Sequence, residues 1–389
     1  MKVDDAVLDA ARQAIVANCQ GSFGVGGMLI KTDGTVIQML HNSVYKSGQL
    51  LDPTAHGERQ LVNWYFENKQ ILSLPEPEDI ILVTTLDPCA MCTGATLSAG
   101  FKRVVVAAGD ASAGINYDGT TQFLTLKGTS MYEKIVKMYS YPRVLGNSCF
   151  SREGSGADIL ISPFDSTDIS ETTQALCSSL FQASIDGVEA NMKSDFNPSE
   201  LTDLEIMAPY TSVYKALRAA FGDNFLAYRG PAGNPGVEFA DVIYGRNPNF
   251  RGISFFDNFG NLIFTQEAND IPTQTAFMLA TQKYAKVRSE LINGIDDPRR
   301  YLCHPKYGYF LLTSCPDVNA QTLMDLGAFG STVEDADRNP LMYILEPEKQ
   351  PAIDSLISKM PPLYSQSLKI RVAQASDSDM VAKVKGYIS

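Results

Sequence analysis

The sequence predicts an α/β protein in which a sheet is covered on both faces by helices, a three-layer α/β/α arrangement expected twice in tandem. Three observations predict it. Over the first 108 residues the segments run helix, two strands, helix, strand, helix, strand, an order that places helices on both faces of one sheet. Asp33-Gly34 divides two apolar runs where a tight hairpin turn is needed. A similar order of segments returns after residue 250.

The first helix is expected from Val3 to Cys19, where Val7, Leu8, Ala11, Ile15 and Val16 recur at helical spacing and Gly21 follows as a stop. Gly27-Met28-Leu29-Ile30 and Thr35-Val36-Ile37-Gln38-Met39 read as a hairpin. Pro53 and Thr54 sit where a helix starts, and Leu61, Val62, Tyr65 and Phe66 supply its buried stripe. Ile80 to Thr85 is apolar enough for a central strand and ends at Asp87-Pro88, where another helix opens; Val104 to Ala108 is the next strand.

A chain of 389 residues is long for one domain and suits two. The expected units are residues 1–150, a connecting region at 151–200 and a second domain at 201–389. The connector is read as partly flexible, because Ser151-Arg152-Glu153-Gly154-Ser155-Gly156 leads into an acidic, serine-bearing segment ending at Asn197-Pro198-Ser199. A helix from Thr172 to Asn191 is expected within it.

In the second half, Gly252 to Phe256, a turn at Asn258-Phe259-Gly260 and Asn261 to Phe264 repeat the hairpin, and Pro272-Thr273 precedes a helical stretch as Pro53-Thr54 does. Phe310 to Pro316 echoes the strand that ends at Pro88. This alignment puts Thr275 in place of His56, Phe277 of Glu58, Asp317 of Cys89 and Ala320 of Cys92, so the second copy has lost the imidazole and both thiolates together and is not expected to hold catalytic zinc.

Charge narrows the partners. The formal net charge is -12, with 2 basic and 9 acidic side chains in residues 151–200. A protein that grips a polyanion needs a basic stripe to neutralise phosphates, and none is visible. A small-molecule substrate is therefore expected ahead of nucleic acid. No apolar run approaches a membrane span, and Met1-Lys2-Val3-Asp4-Asp5 carries acid where a secretory signal carries base. Seven cysteines with one CxxC do not form a disulfide framework, so a reducing, cytoplasmic setting is expected for a chain beginning at Met1.

The chemistry is concentrated in Asp52-Pro53-Thr54-Ala55-His56-Gly57-Glu58 and Pro88-Cys89-Ala90-Met91-Cys92. One imidazole and two thiolates, His56, Cys89 and Cys92, are the ligand set of a catalytic zinc with one open position. Thiolates at the start of a helix are favoured by its free amides and partial positive charge. Zinc held there would bring the pKa of a bound water to roughly 7. Glu58, two residues beyond the histidine, would carry protons from that water to a ring nitrogen and to departing ammonia. His41 and His304 lack partners at ligand spacing.

With these motifs in view, the chain resembles the cytidine deaminase superfamily, in the branch holding guanine deaminases and bacterial tRNA adenosine deaminases. DPTAH followed by Gly57-Glu58 is similar to that branch's DPTAHAE, with glycine replacing alanine, and PCAMCTGA matches its PCxMCxGA pattern. The resemblance covers roughly residues 1–115. It implies a cytidine deaminase-like fold, a zinc cofactor and hydrolytic deamination, with Asn42 contacting the base and the backbone of Ala55 meeting the heterocycle. Asn42-Ser43-Val44 is nearer to guanine deaminases, whereas Val25-Gly26-Gly27 and Arg103-Val104-Val105 are nearer to the tRNA enzymes. A purine base or nucleoside, guanine first, is the expected substrate, with a tRNA or nucleic-acid adenosine or cytidine deaminase and a non-catalytic zinc-containing binding protein as alternatives. Relatives that share sites between subunits further imply a homodimer, or an internal pseudo-dimer in which the second copy is a pseudo-deaminase domain.

Overall fold

A computed structural model describes residues 1–146, 152–193, 212–221, 252–256, 262–269, 271–295, 302, 304–312, 317–332, 340–343 and 347–374. The turn expected at Asn258-Phe259-Gly260, the Asn197-Pro198-Ser199 stretch and residues 313–316 lie outside them.

The first half is built on α1 (Val3–Cys19), β1 (Gly26–Lys31), β2 (Val36–His41), α2 (Gly57–Asn68), β3 (Ile80–Leu86), α3 (Ala90–Ala99), β4 (Arg103–Ala108), α4 (Tyr132–Met138), β5 (Tyr139–Tyr141), β6 (Ser155–Gly156) and α5 (Glu171–Lys193). The strands order as β2-β1-β3-β4-β5-β6. β1 runs antiparallel to β2 and β3, while β3, β4 and β5 are parallel. Alternation along the strands feeds two layers. Met28, Ile30, Ile81, Val83, Val105 and Ala107 pack with α1 and α5, whereas Leu29, Leu82, Val104 and Val106 pack with α2 and α3. The three-layer α/β/α expectation describes this half.

Two expectations are corrected. The buried stripe of α1 is Val3, Ala6, Val7, Ala10, Ala11, Ala14 and Ala17, while the larger Leu8, Ile15 and Val16 are exposed. Alanines allow close approach to the sheet and α5: a Cβ on Gly26 would lie 2.4 Å from the Ala10 carbonyl oxygen and 2.5 Å from Ala14 N. Residues 152–193, read as part of a partly flexible connector, instead complete the first half. β6 extends the sheet edge, Ile159, Phe164, Ile169 and Cys177 join its core, and Asn18 donates to the Leu180 carbonyl at 3.1 Å.

The second half contains α6 (Ser212–Phe221), β7 (Gly252–Phe256), β8 (Leu262–Glu267), α7 (Ala276–Leu291), β9 (Tyr309–Leu312), α8 (Ala320–Thr332), β10 (Leu341–Tyr343), α9 (Gln350–Ile357) and β11 (Val372–Gln374). Its sheet orders as β8-β7-β9-β10-β11, with an antiparallel hairpin and strand followed by two parallel steps. This is the order and sense of the first five strands of the other sheet. Both hairpins carry a register shift at the same place, between Leu29 and Ile30 and between Phe255 and Phe256.

The halves meet through α3 and α8. A Cβ on Gly94 would lie 2.5 Å from the Ala320 carbonyl oxygen and 2.6 Å from Met324 Cγ, and one on Gly327 would lie 2.7 Å from Met91 Cα. Glycine on each helix therefore sets the approach. One continuous hydrophobic core runs from Leu82 through Met91 and Met324 to Phe310. Among the described residues, no helix is long and apolar enough to cross a membrane.

Candidate metal centre

The sequence places His56 and Cys89 as the residues that cap α2 and α3, and neither side chain makes a capping hydrogen bond. Each is left free to turn toward the other. The ligating atoms of His56, Cys89 and Cys92 lie within 4.8 Å of one another, the one such group among the described residues. His56 Nδ1 is 3.5 Å from Cys89 Sγ. Zn–S near 2.3 Å and Zn–N near 2.05 Å at a tetrahedral angle put those atoms about 3.6 Å apart. The donor set, its spacing and its burial therefore fit zinc.

Charge in the pocket is graded. The Cys89 thiol is held well below its usual range, first by a hydrogen bond from Cys92 and further by the His56 imidazole beside it. Burial, with the Cys89 charge next to it, pushes Cys92 up. Burial opposes the charged form of His56, but the Cys89 thiolate outweighs it and the net shift is upward. Glu58 is buried, and desolvation followed by the Cys89 charge raises its carboxyl above the ordinary range. A carboxyl so poised takes up and releases protons nearer neutrality. Thr84 donates to Glu58 Oε1 at 2.8 Å, and Cys92 Sγ lies 3.4 Å from Oε2.

Asn42 is buried at the end of β2. Its Oδ1 accepts from Ser22 Oγ at 2.5 Å and from Val44 N at 3.2 Å, which fixes the amide and turns Nδ2 away from these partners. Ala55 is also buried, and its backbone is fully engaged: its N–H donates to Asp52 O at 3.1 Å, and its carbonyl accepts from Ser43 N at 2.8 Å and Gln60 Nε2 at 2.9 Å. Gly57, where the resembling family has alanine, leaves ordinary space: a Cβ there would lie 3.5 Å from Asn42 N. His41 bonds Gln13 at 3.1 Å and His304 accepts from Lys306 N at 3.1 Å, both away from the centre.

Supporting residues carry weaker sequence signals. Thr84 was visible only as a polar residue in an apolar strand. Asp87, directly before Pro88-Cys89, is buried and accepts from Tyr141 Oη at 2.7 Å and Asn116 N at 2.8 Å; burial pushes its carboxyl to about 7. It ties the strand end that presents Cys89 to the following loop. Arg59 pairs with Asp52 at 2.9 Å and, with the Gln282 amide oriented oxygen-first, donates to Gln282 at 2.6 and 3.0 Å. A residue of α7 thus buttresses the loop before His56.

The corresponding positions of the second half hold no such group. Thr275 caps α7, accepting from Met278 N at 3.2 Å, where His56 stands on α2. Phe277, in place of Glu58, packs at 4.6 Å from Phe310, and the strand register places Leu312 where Thr84 lies. The sequence alignment is corrected by two residues at α8: Asn319 takes the Cys89 position, accepting from Gln321 N at 2.9 Å and Thr322 N at 3.0 Å, and Thr322 takes that of Cys92. Asp317 and Ala320 flank these positions. The second half has ordinary helix caps and an aromatic core where the first has a metal centre.

Comparison with known proteins agrees with this geometry. The sequence profile of the cytidine and deoxycytidylate deaminase zinc-binding region matches residues 1–108. The chain is 33% identical over 123 residues to a cytosine deaminase of Candida albicans, covering 31% of this chain and 73% of that protein. It is 34% identical over 105 residues to a tRNA-specific adenosine deaminase of Aquifex aeolicus, covering 27% and 65%, and 35% identical over 101 residues to a guanine deaminase of Bacillus subtilis, covering 25% and 61%. The chain thus spans less than two thirds of the latter two. It belongs to the cytidine and deoxycytidylate deaminase family, whose cofactor is zinc.

Proposed function

We propose that the chain catalyses hydrolytic deamination of an amino-bearing purine, as the free base or nucleoside, with guanine the first substrate to test. The observation that supports it best is the convergence of His56, Cys89 and Cys92 with the Glu58 carboxylate beside them. Those three side chains would hold zinc, which when bound supplies the Lewis acidity that makes water a nucleophile near neutral pH.

Glu58 takes a proton from the attacking water and delivers it to the ring nitrogen next to the amino-bearing carbon. A second proton, carried by the same carboxyl to the amino group, lets ammonia leave and the carbonyl form. Water and amine are consumed as oxo product and ammonia are formed, so no other reactant is needed. Asn42 Nδ2 is the donor we assign to the base. Ala55 has no backbone group left to offer, and we assign it the role of a wall against the ring.

The tandem repeat is part of this reading. Matching strand order and matching hairpin irregularities support two copies, the first extending through residue 193 and the second a pseudo-deaminase domain paired with it internally. The Candida relative makes cytosine the second base to test. Ammonia release should be measured across free bases, nucleosides and short RNA, with zinc content determined on the same sample. Turnover of a purine at about one zinc per chain is expected. Release of ammonia only from RNA would move the reading to a nucleic-acid deaminase, and zinc without turnover of any substrate to a binding protein.

A further inference from the structure

We propose that Gln282, on α7 of the second half, is a positioning residue for substrate: through Arg59 it fixes the segment from Asp52 to His56, whose Ala55 walls the base. This rests on the deaminase reading above.

The segment is tied by a closed ring of polar groups. Asp52 Oδ1 accepts from Thr54 N and from Thr54 Oγ1, each at 2.7 Å, and Asp52 Oδ2 accepts from Arg59 Nη2 at 2.9 Å. Arg59 Nε donates to the Thr54 carbonyl, and both Thr54 and Arg59 are buried. The second half closes the outer side of this ring. Guanidinium nitrogens only donate, so the Gln282 amide turns its oxygen to them and accepts from Nη1 at 2.6 Å and Nη2 at 3.0 Å. The Ala55 carbonyl accepts from Ser43 N at 2.8 Å, so a shift at Thr54 passes to the wall of the base and to the strand end that carries Asn42.

α7 reaches the same region at a second point. Ala285 is fully buried with Val44, Tyr45 and Leu50, which lie between Asn42 and Asp52. Residues three apart share a helix face, so one face of α7 spans the chain from Val44 to Arg59. The helix is held in its own half, where Phe277 packs at 4.6 Å from Phe310 and Tyr284 at 4.5 Å from Phe255. A rigid element of the half without zinc ligands therefore backs the substrate side of the half that has them. A wall touches the base equally before and during reaction, so loosening it weakens uniform binding: KM rises and kcat does not fall.

The test uses the full chain with guanine first, then the other bases and nucleosides. Wild type is compared with Gln282→Met, which keeps the length and removes the amide acceptor, and with Gln282→Glu, whose carboxylate accepts from both guanidinium nitrogens. In Gln282→Met, KM should rise about 10-fold, as for loss of a hydrogen bond to a charged group, with kcat and zinc content unchanged. Backbone hydrogen exchange should quicken in peptides covering residues 42–56 and not in β3. Gln282→Glu should keep both readouts at their wild-type values. Gln282→Ala serves if the methionine variant does not fold. Lys286→Gln, on the exposed side of α7, should change neither readout. Wild-type KM and wild-type exchange in Gln282→Met overturn the proposal alone. So does a fall in kcat or stability at unchanged KM, which confines Gln282 to the fold. A wild-type chain that turns over no base, nucleoside or RNA overturns the deaminase reading, and this proposal with it.

Discussion

Thr84 Oγ1 lies 2.8 Å from Glu58 Oε1 and 3.2 Å from the Leu86 carbonyl oxygen, so one hydroxyl serves both protonation states of the carboxyl. It donates to an ionised Glu58. When Glu58 is protonated, it can accept from the carboxyl and donate to Leu86 O instead. A residue that shuttles protons in a buried site benefits from a partner that follows the change, because neither state is left with an unpaired group.

Two substitutions separate the shuttle from its partner. Glu58→Gln should retain zinc and lower kcat by about 10²- to 10⁴-fold, the range for removal of a general acid and base. Thr84→Val keeps the volume and should lower kcat by only about 10-fold, the equivalent of one hydrogen bond to a charged group. Metal analysis and steady-state kinetics on both variants check this. A fully active Glu58→Gln enzyme would remove the carboxyl from the mechanism.

Gly94 belongs to the PCAMCTGA motif, yet its surroundings are those of packing. The Ala320 carbonyl and Met324 occupy the space a side chain would need. Gly94→Ala should therefore destabilise the full chain by about 3 kcal/mol, at the upper end of the overpacking range, because a backbone carbonyl cannot move aside as a side-chain tip can. Denaturant unfolding measures it. An unchanged midpoint would show that α3 and α8 are not in such close contact.

The ligand set and its carboxylate were legible in the sequence because few residue types bind zinc and their spacing is set by two helix starts. Helix caps also carried information: His56 and Cys89 occupy positions where Ser, Thr, Asp or Asn are preferred, and the second half has Thr275 and Asn319 there. The α1 stripe was misread because bulk outweighed alanine in the periodicity, while the sheet needed the small face. The stretch from 152 to 193 was misread because serine and acid suggest a linker, although Ile159, Phe164, Ile169 and Cys177 were there to be buried.

Tyr141 shows how far support for Cys89 extends. Its hydroxyl is a hydrogen-bond donor to Asp87 at 2.7 Å, and both residues are buried. Tyr141→Phe leaves Asp87 Oδ1 without that donor, which costs about 1–3 kcal/mol for a buried acceptor. Reduced stability should be accompanied by faster zinc loss to a chelator, as the strand end carrying Pro88-Cys89 loosens. Stability lost with zinc retention unchanged would confine Tyr141 to the fold.

Asp325, in the second half, supplies a pH test independent of the metal. It is buried on α8, and its Oδ1 has no hydrogen-bond partner among the described residues. Burial raises its carboxyl from 3.8 to about 7. A folded-state pKa above the unfolded value means that the native protein holds the proton more tightly. The stabilisation from Asp325 is complete below about 4 and is lost as the pH rises through about 7. Asp325→Asn cannot ionise and keeps the size and shape of the side chain. In denaturant unfolding at pH 5, 6, 7 and 8, the variant should gain on wild type at each step up to about 7 and level off above it, with zinc-linked effects common to both proteins cancelling in the difference. A constant difference across that range would show that Asp325 ionises normally and that the second half admits water where the structure buries this carboxyl.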